Sequence, residues 1–312
     1  MIVSDASLAA LLLTNRLVDT GTKPLSAAEY WSVVQLLGGL DGLDGVLGAA
    51  ESELVSRLGG DAALASRIAT LLGAASAFTF ERERLEGEGV RVLPSTDPQF
   101  PATLISRLGS ACPAYLTVAG PVEWLGGGGI GVVGSRDASP VALDVARAAA
   151  KVAVIAGLPI VSGLARGIDQ ASMAAALDAG GPVVGVPAEG LRVAARGPEV
   201  RRRVHAGELC IASPYAPSMR FTAGNAMGRN KIVYGLADVT LVVCSDNGSG
   251  GTWEGAKEAL RRRFGTVAVW SGEGEGLGNA ELIRLGGAAV TAVDDVMSVE
   301  AMPAPSDQSS LF

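Results

Sequence analysis

The sequence predicts an α/β protein with a doubly wound, mostly parallel β-sheet, preceded by a small helical domain. From residue 129 onward, short runs of Val, Ile and Leu alternate with Ala-rich helical segments. Such continuous apolar runs are typical of parallel strands that are buried on both faces. Strands are predicted at 129–133, 158–161, 182–186, 208–212, 238–244, 266–270 and 287–290. Helices are predicted at 140–156, 168–179, 197–206, 223–236, 252–264 and 278–285.

The residues before this alternation are predicted to form additions to the sheet. Apolar positions at three- and four-residue spacing predict helices at 7–17, 26–37 and 61–86, the first two starting near a serine that could cap them. A short strand is predicted at 89–94, and proline-punctuated turns at 97–104 and 112–116. We therefore expect a helical domain (1–88), a connector packed on the core (89–125), a sheet domain (126–300) and a flexible tail (301–312).

Composition narrows the class of protein. Apolar residues make up 48% and charged residues 18% of the 312 residues, which indicates a globular chain. We infer neither a membrane span nor a secretion signal, and we predict a cytoplasmic protein. The three cysteines are far apart, so buried, reduced thiols are expected. His205 is the only histidine, so the chain has almost no material for a zinc site or a His-based nucleophile. We predict no metal site, no cofactor and no catalytic residue, with Glu254 as the catalytic candidate of an alternative function.

The net charge of −7 argues against a general attraction to nucleic acid. The charge is unevenly distributed, however. Residues 1–125 carry 8 Lys and Arg against 14 Asp and Glu, whereas residues 126–292 carry 17 against 14. The sheet domain is therefore mildly basic, and a local anion-binding face is compatible with it.

Three glycine-rich loops follow predicted strands and should meet at the carboxyl edge of the sheet. Glycine lets a backbone approach a phosphate, N–H groups at a helix start bind anions, and arginine adds a forked donor. Together the loops favour a phosphate-containing ligand. The candidate residues on them are Gly134, Ser135, Arg136, Ser162, Gly163, Arg166, Gly167, Gly250, Gly251 and Thr252.

A dinucleotide site is a poor interpretation of these loops. The GxGxxG string at 129–134 lies within a predicted strand and not across the turn that follows it. The acidic residue expected about twenty residues further on, which would bind a ribose, is also absent from a strand end.

The predicted helix 223–236 contributes Arg229, Asn230 and Lys231. They could form a solvated helix face. Alternatively, they could contact a nucleic-acid backbone.

With these residues in view, the chain resembles the DNA-processing protein A (DprA/Smf) family. The matching strings are Val132-Val133-Gly134-Ser135-Arg136, Val161-Ser162-Gly163-Leu164-Ala165-Arg166-Gly167-Ile168-Asp169 and Arg229-Asn230-Lys231-Ile232. The chain departs from the family pattern at Ser172-Met173, at Lys231 and in the loop 250–256, so it looks like a divergent member.

The resemblance implies an extended Rossmann-like domain, without enzymatic activity, that binds single-stranded DNA in a positive pocket. It also implies a homodimer that acts in DNA recombination and natural transformation, by loading a RecA-type recombinase or by protecting incoming DNA. Asp169 is expected to brace its loop. The residues implied to line the pocket are Ser135, Arg136, Ser162, Gly163, Arg166, Gly167, Arg229, Asn230 and Lys231.

The segment 250–254 also looks like the loop of the lysine-decarboxylase-like phosphoribohydrolases, which cleave a nucleoside monophosphate from its base. There Glu254 would act on the ribose or as acid/base. It comes two residues after Thr252 where that family has three, which turns it about 100° on a helix. A nucleotide sensor or a phosphoribohydrolase stays open as the alternative function.

The chain ends in a Pro/Ser-rich segment, 302–306, which predicts a flexible linker. Gln308, Leu311 and Phe312 after it resemble the peptide by which bacterial proteins dock on the DNA sliding clamp. A tether that presents an amide and two apolar side chains suits a partner's groove. A frayed end with no partner is an equally open interpretation.

Overall fold

The computed structural model describes residues 4–301, and a single nine-stranded sheet organises them. Its strand order is β1-β2-β6-β5-β4-β3-β7-β8-β9. The strands are β1 (Arg91–Pro94), β2 (Tyr115–Ala119), β3 (Ile130–Val133), β4 (Ile160–Ser162), β5 (Val183–Gly185), β6 (Leu209–Ser213), β7 (Val239–Val242), β8 (Thr266–Trp270) and β9 (Ala288–Val290). Strands β3 to β9, numbered along the chain, pair with one another only in parallel. This confirms the predicted fold class.

Helices cover the sheet and form the region before it. They are α1 (Asp5–Thr14), α2 (Ala27–Leu36), α3 (Glu51–Arg57), α4 (Ala62–Leu72), α5 (Ala75–Gly87), α6 (Ala102–Leu108), α7 (Pro140–Ile155), α8 (Ile168–Asp178), α9 (Leu191–Ala194), α10 (Pro198–His205), α11 (Ala223–Leu236), α12 (Gly250–Arg262) and α13 (Asn279–Arg284). Ser26 caps α2 in a reciprocal box with Glu29, because each side chain satisfies a backbone N–H that the helix leaves free. The predicted stretch 61–86 is two helices, α4 and α5.

The turn predicted at 112–116 is wrong in its second half. Tyr115 begins β2, which is buried along its whole length and pairs antiparallel with both β1 and β6. Pro113 lies just before the strand, where a missing N–H interrupts no ladder bond, and the apolar run after it is a strand. The turn predicted at 97–104 likewise continues into α6. The connector therefore adds two strands to the sheet, and the division at residue 125 stays a prediction.

The helical region docks on this connector edge through specific polar contacts. Tyr30 Oη lies 2.9 Å from Ser95 Oγ, and Trp31 Nε1 donates to the carbonyl of Cys112 at 2.8 Å. Buried side chains of α2 and α4 share one apolar cluster with those of β2 and α11. Among residues 4–301, no single helix is both long and apolar enough to cross a membrane; α4 and α5, bent by 51°, reach that length and composition only as a pair.

The sheet changes direction between β3 and β7. The chain proceeds from β3 outward to β6 on one side and from β7 outward to β9 on the other. In doubly wound sheets, ligands bind in the crevice at the carboxyl ends of the strands at such a switch point. The three glycine-rich loops follow β4, β3 and β7, which are adjacent in that order.

Candidate functional site

A cavity of about 280 Å³ opens at this edge, between the loops that follow β3, β4 and β5 and the segment that precedes α11. Four of its lining residues are sequence candidates: Arg136, Gly163, Arg166 and Arg229. The other lining residues are Leu164, Ala165, Pro187, Ala188, Glu189 and Phe221. The wall is therefore mixed, since it contains both cationic groups and apolar side chains.

Asp169 holds the loop after β4 in shape. It is in the first turn of α8 and only 4% exposed. Its Oδ2 accepts hydrogen bonds from the backbone N–H groups of Gly163 and Ala165, at 3.2 and 3.4 Å. Leu164, between those two residues, has a positive φ of 59°. Residues other than glycine rarely adopt that backbone conformation. The two hydrogen bonds to Asp169 therefore stabilise a strained turn.

Arg229 forms the floor of the cavity. It is 4% exposed on α11, and its Nη2 lies 3.8 Å from Asp169 Oδ2. Its Nε has no hydrogen-bond partner within the described residues. Burial lowers the pKa of Arg229, and the Asp169 charge opposes that shift; burial likewise raises the pKa of Asp169, against the effect of Arg229. A buried guanidinium with such loose partners has hydrogen-bonding capacity left for an anionic ligand.

The rim of the cavity carries two further arginines. The Arg136 guanidinium lies 5.5 Å from the centre of the Phe221 ring, a cation–π contact at an exposed position. Arg166 is 70% exposed in its side chain and pairs with Asp137 at 2.8 Å. An exposed pair of this kind contributes at most about 1 kcal/mol, so a ligand phosphate can displace it.

Gly163 and Gly167 permit close approaches that a side chain would block. A Cβ on Gly163 would overlap the guanidinium of Arg229. Gly167 has a φ of 86°, and a Cβ there would overlap the backbone of Ser135 and Arg136. The loops after β3 and β4 therefore pack against each other, and they carry their arginines to one place.

Three other candidates are not among the residues that line the cavity. Ser162 is 0% exposed, and its Oγ donates to the carbonyl of Val132 at 2.6 Å, so no face of it is left for a ligand. Ser135 Oγ accepts from the N–H of Asp137 at 3.2 Å. Gly134 gives room to Ile168, which a Cβ would crowd.

The structure does not bring the loop after β7 into the cavity. Gly250, Gly251 and Thr252 begin α12, and their contact with the predicted α11 residues is a 2.9 Å hydrogen bond from Asn230 Nδ2 to the carbonyl of Gly251. Glu254, on the same helix, pairs with Lys257 at 3.3 Å.

Lys231 also lies outside the cavity. Burial lowers its pKa, and the charge of Glu258 opposes that shift. Successive residues of a helix differ by about 100° in direction. Arg229 and Lys231 therefore point to different sides of α11, and Lys231 is not among the residues that line the cavity.

Sequence reasoning missed Phe221 and Glu189. Phe221 is 50% exposed and directly precedes Thr222, the N-cap of α11. An exposed aromatic residue just before a helix cap was the available signal. Glu189 follows β5 at the same edge as the arginines, but no motif marks it. The predicted docking residues Gln308, Leu311 and Phe312 lie outside the described residues.

The fold and the site together define a Rossmann-like protein with an arginine-lined cavity at the carboxyl ends of β3, β4 and β5. A sequence model of the family DNA recombination-mediator protein A matches residues 91–300. The chain belongs to this family, which confirms the resemblance found in the motifs.

Individual relatives agree with this assignment. DNA processing protein DprA of Bacillus subtilis (strain 168) is 30% identical over 213 residues, covering 67% of this chain and 71% of that protein. The structure of DprA from Streptococcus pneumoniae superposes with a TM-score of 0.69 at 22% identity, covering 96% of this chain and 99% of that one. A Helicobacter pylori DprA structure, described for its single-stranded DNA binding mode, gives 0.55 at 20% identity over 67% and 95%.

Proposed function

We propose that the protein binds single-stranded DNA at the cavity lined by Arg136, Arg166 and Arg229, and that it acts as a recombination mediator without catalysing a reaction. The observation that carries this proposal is the buried Arg229 guanidinium, which lines the cavity and has Asp169, at 3.8 Å, as its ion-pair partner. A guanidinium nitrogen left without a hydrogen bond costs about 1–3 kcal/mol, and a ligand phosphate that bonds the Nη atoms would recover that cost there.

The walls of the cavity suit an unpaired strand better than a duplex. Phe221 offers an exposed ring, and stacking of a base on an aromatic side chain contributes about 1–3 kcal/mol. In a duplex both faces of each base are already stacked, so this contribution is available only to a single strand. The 280 Å³ volume also fits one nucleotide at a time.

Local charge drives this binding, since the whole chain carries −7. Each phosphate contact with a single strand lowers log K by about 0.7 per decade of salt. Three arginines therefore predict a slope of about −2. The same relation predicts that loss of one arginine reduces the slope by about 0.7.

A gel-shift series over salt tests the proposal. We expect unpaired strands to bind in preference to duplex, and Arg136→Ala, Arg166→Ala and Arg229→Ala to weaken that binding. Arg147→Ala is the matched control for Arg166→Ala, because Arg147 also forms an exposed pair with an aspartate, Asp144, at 2.6 Å. Absence of binding to single strands at low salt would refute the proposal.

The second candidate is a sensor for a free nucleotide. The cavity volume supports it, since it suits a single nucleoside monophosphate. The hydrolase version has less support, because Glu254 is not among the lining residues. Incubation with adenosine and cytidine monophosphates distinguishes the versions: free base that disappears in Glu254→Gln would establish hydrolysis.

We also propose the two partners that the family resemblance implies, a second copy of the chain and a RecA-type recombinase. The resemblance of the C-terminal peptide adds a third, a DNA sliding clamp that binds Gln308, Leu311 and Phe312. The protein would act in the cytoplasm during processing of incoming DNA, as in natural transformation. Deletion of residues 308–312 should abolish co-purification with the clamp. Unchanged recovery of the clamp would exclude docking by the tail.

A further inference from the structure

Glu189 is an unexpected residue in a cationic cavity. It lines the cavity beside Pro187 and Ala188, and its carboxylate has no hydrogen bond or ion pair within the described chain. The two other acidic residues nearby are both engaged. Asp169 binds backbone N–H groups and lies against Arg229, and Asp137 pairs with Arg166.

The backbone around Glu189 is fixed. The carbonyl of Glu189 accepts a hydrogen bond from Ser213 Oγ at 2.8 Å, and the next N–H, of Gly190, donates to the carbonyl of Met219 at 2.9 Å. A Cβ on Gly190 would overlap the carbonyl oxygen of Ala216. The position of Glu189 in the wall is therefore set by the fold and does not depend on a flexible loop.

A carboxylate at this place disfavours phosphate. Burial lowers the pKa of Arg229, and the charge of Glu189 is one of those that oppose this shift. Binding of the strand backbone alone would be stronger without this carboxylate. A free carboxylate has two oxygens that accept hydrogen bonds, so it favours a ligand with N–H donors. In a DNA strand, those donors are on the bases.

The apolar part of the cavity suits a base. Leu164, Pro187, Ala188 and Phe221 line it, and Glu189 lies on the same wall. A base that enters between them would place its phosphates near the rim arginines and its Watson–Crick edge near the carboxylate. Sequence-specific recognition of single strands commonly uses this edge, with the base held against an aromatic side chain.

We propose that Glu189 reads the Watson–Crick edge of the base in the cavity and favours guanine; this inference rests on the proposed single-strand binding. Guanine presents two parallel donors, N1–H and the N2 amino group, which match both oxygens of one carboxylate. Cytosine and adenine each present one amino group there. Thymine presents a single N3–H between two carbonyl oxygens, which the carboxylate repels.

The test compares labelled oligothymidylate of about twenty nucleotides with strands in which every fourth base is guanine, cytosine or adenine. Fluorescence anisotropy at one salt concentration gives each affinity. We expect the guanine strand to bind about fivefold more tightly than oligothymidylate, because a bidentate base contact discriminates by about 1–3 kcal/mol. In Glu189→Gln the ratio should fall close to one.

Asp137→Asn is the matched control. It also removes one negative charge from the edge of the cavity, so both variants should bind oligothymidylate somewhat more tightly. Only Glu189→Gln should lose the preference for guanine. The inference would be overturned if the ratio of the affinities for the guanine strand and oligothymidylate were equal in both variants and the native protein. A preference for ribose over deoxyribose strands, without discrimination among the bases, would also overturn it.

The outcome also separates this inference from the function it rests on. If the native protein binds oligothymidylate and the guanine strand equally, base reading by Glu189 is wrong and single-strand binding stands. If it binds neither strand at low salt, single-strand binding itself is wrong.

Discussion

Two glycine-rich loops lie at the same edge of the sheet, and they have different surroundings. The loop after β4 (163–167) is folded against Asp169 and Arg229, and its glycines have close neighbours. The loop after β7 (248–252) is largely exposed, and the Cβ that Gly251 lacks would touch only Asn230 Nδ2, at 3.9 Å. Glycine content is similar in both. What distinguishes the first loop is a buried charge pair that its glycines make room for.

This comparison shows what a glycine-rich turn does and does not predict. Both loops follow parallel strands and precede helices, the setting in which helix N–H groups can bind an anion. At the start of α8, however, the N–H groups of Ile168 and Gln170 already donate to the carbonyls of Ser135 and Ala165. The first loop also lies beside the arginines of two other elements, Arg136 after β3 and Arg229 on α11. Convergence of cations from separate elements, and not the turn itself, therefore defines the candidate site.

The largest expected effect is on the buried pair. Arg229→Met leaves Asp169 as an uncompensated buried charge, so we expect the free energy of unfolding at neutral pH to fall by about 3–5 kcal/mol. Burial already raises the pKa of Asp169, and loss of Arg229 raises it further. A folded-state pKa above the unfolded value means stability that is lost as pH rises and present at lower pH.

Urea denaturation between neutral and mildly acidic pH measures this effect. The difference between Arg229→Met and the native protein should shrink as the pH falls. Lys231→Met is the control, because it removes a half-buried cation of the same helix that has no such partner. A deficit for Arg229→Met that is independent of pH would contradict the account of the pair.

The second prediction compares the two loops directly. Gly163→Ala forces the Arg229 guanidinium to move, and overpacking of this kind costs about 1–3 kcal/mol. We expect about tenfold weaker binding of a single-stranded oligonucleotide. The added methyl group of Gly251→Ala would make only an ordinary van der Waals contact. The affinity of this variant for the oligonucleotide should therefore match that of the native protein. Equal losses in both variants would place the two loops in one site.

Most of the sheet could be predicted from the sequence because its strands are buried on both faces. Continuous Val and Ile runs such as 130–133 and 239–242 are distinctive, and the strands lie where the pattern predicts them. The sequence analysis missed β2 because Pro113, just before it, favours a turn locally. Its pairing with β6, almost a hundred residues away, is a tertiary contact that no local pattern encodes.

The site was less predictable for the same reason. Arg136, Gly163 and Arg166 carry motif signals, and the structure brings them together. Phe221 and Glu189 reach the cavity because the segments after β5 and β6 are bonded to each other, as in the 2.9 Å bond from the N–H of Gly190 to the carbonyl of Met219. Lys231 is adjacent to candidates in sequence, but the helical rotation directs it elsewhere. Proximity in the chain is a poor guide on a helix.

A third prediction tests the aromatic wall. Phe221→Ala removes the exposed ring beneath Arg136, so we expect about fivefold weaker binding of single strands, at the lower end of the range for base stacking. The salt dependence should not change, because no phosphate contact is lost. Phe80→Ala is the control, since Phe80 is an exposed aromatic residue, 71% accessible, on α5. A change in the salt slope would mean that Phe221 acts by positioning Arg136.

The smallest expected effect is that of Arg192, which connects the helical region to the aromatic wall of the cavity. Arg192, just after the cavity-lining segment 187–189, forms a two-bond pair with Glu88, at 2.6 and 2.8 Å, and contacts Glu81 at 3.2 Å. Its N–H donates to the carbonyl of Pro217, in the segment that carries Phe221. The contact therefore links α5 to the aromatic wall.

An exposed ion pair contributes at most about 1 kcal/mol to stability, and only part of that would affect the free energy of ligand binding. Arg192→Ala should therefore weaken binding of single strands about twofold, whereas Arg84→Ala, which breaks another pair of Glu81, should leave binding unchanged. Anisotropy titrations resolve that difference. An effect in Arg192→Ala as large as that of Phe221→Ala would mean that the helical region controls the cavity, because the link would then transmit more than its own exposed contacts can supply.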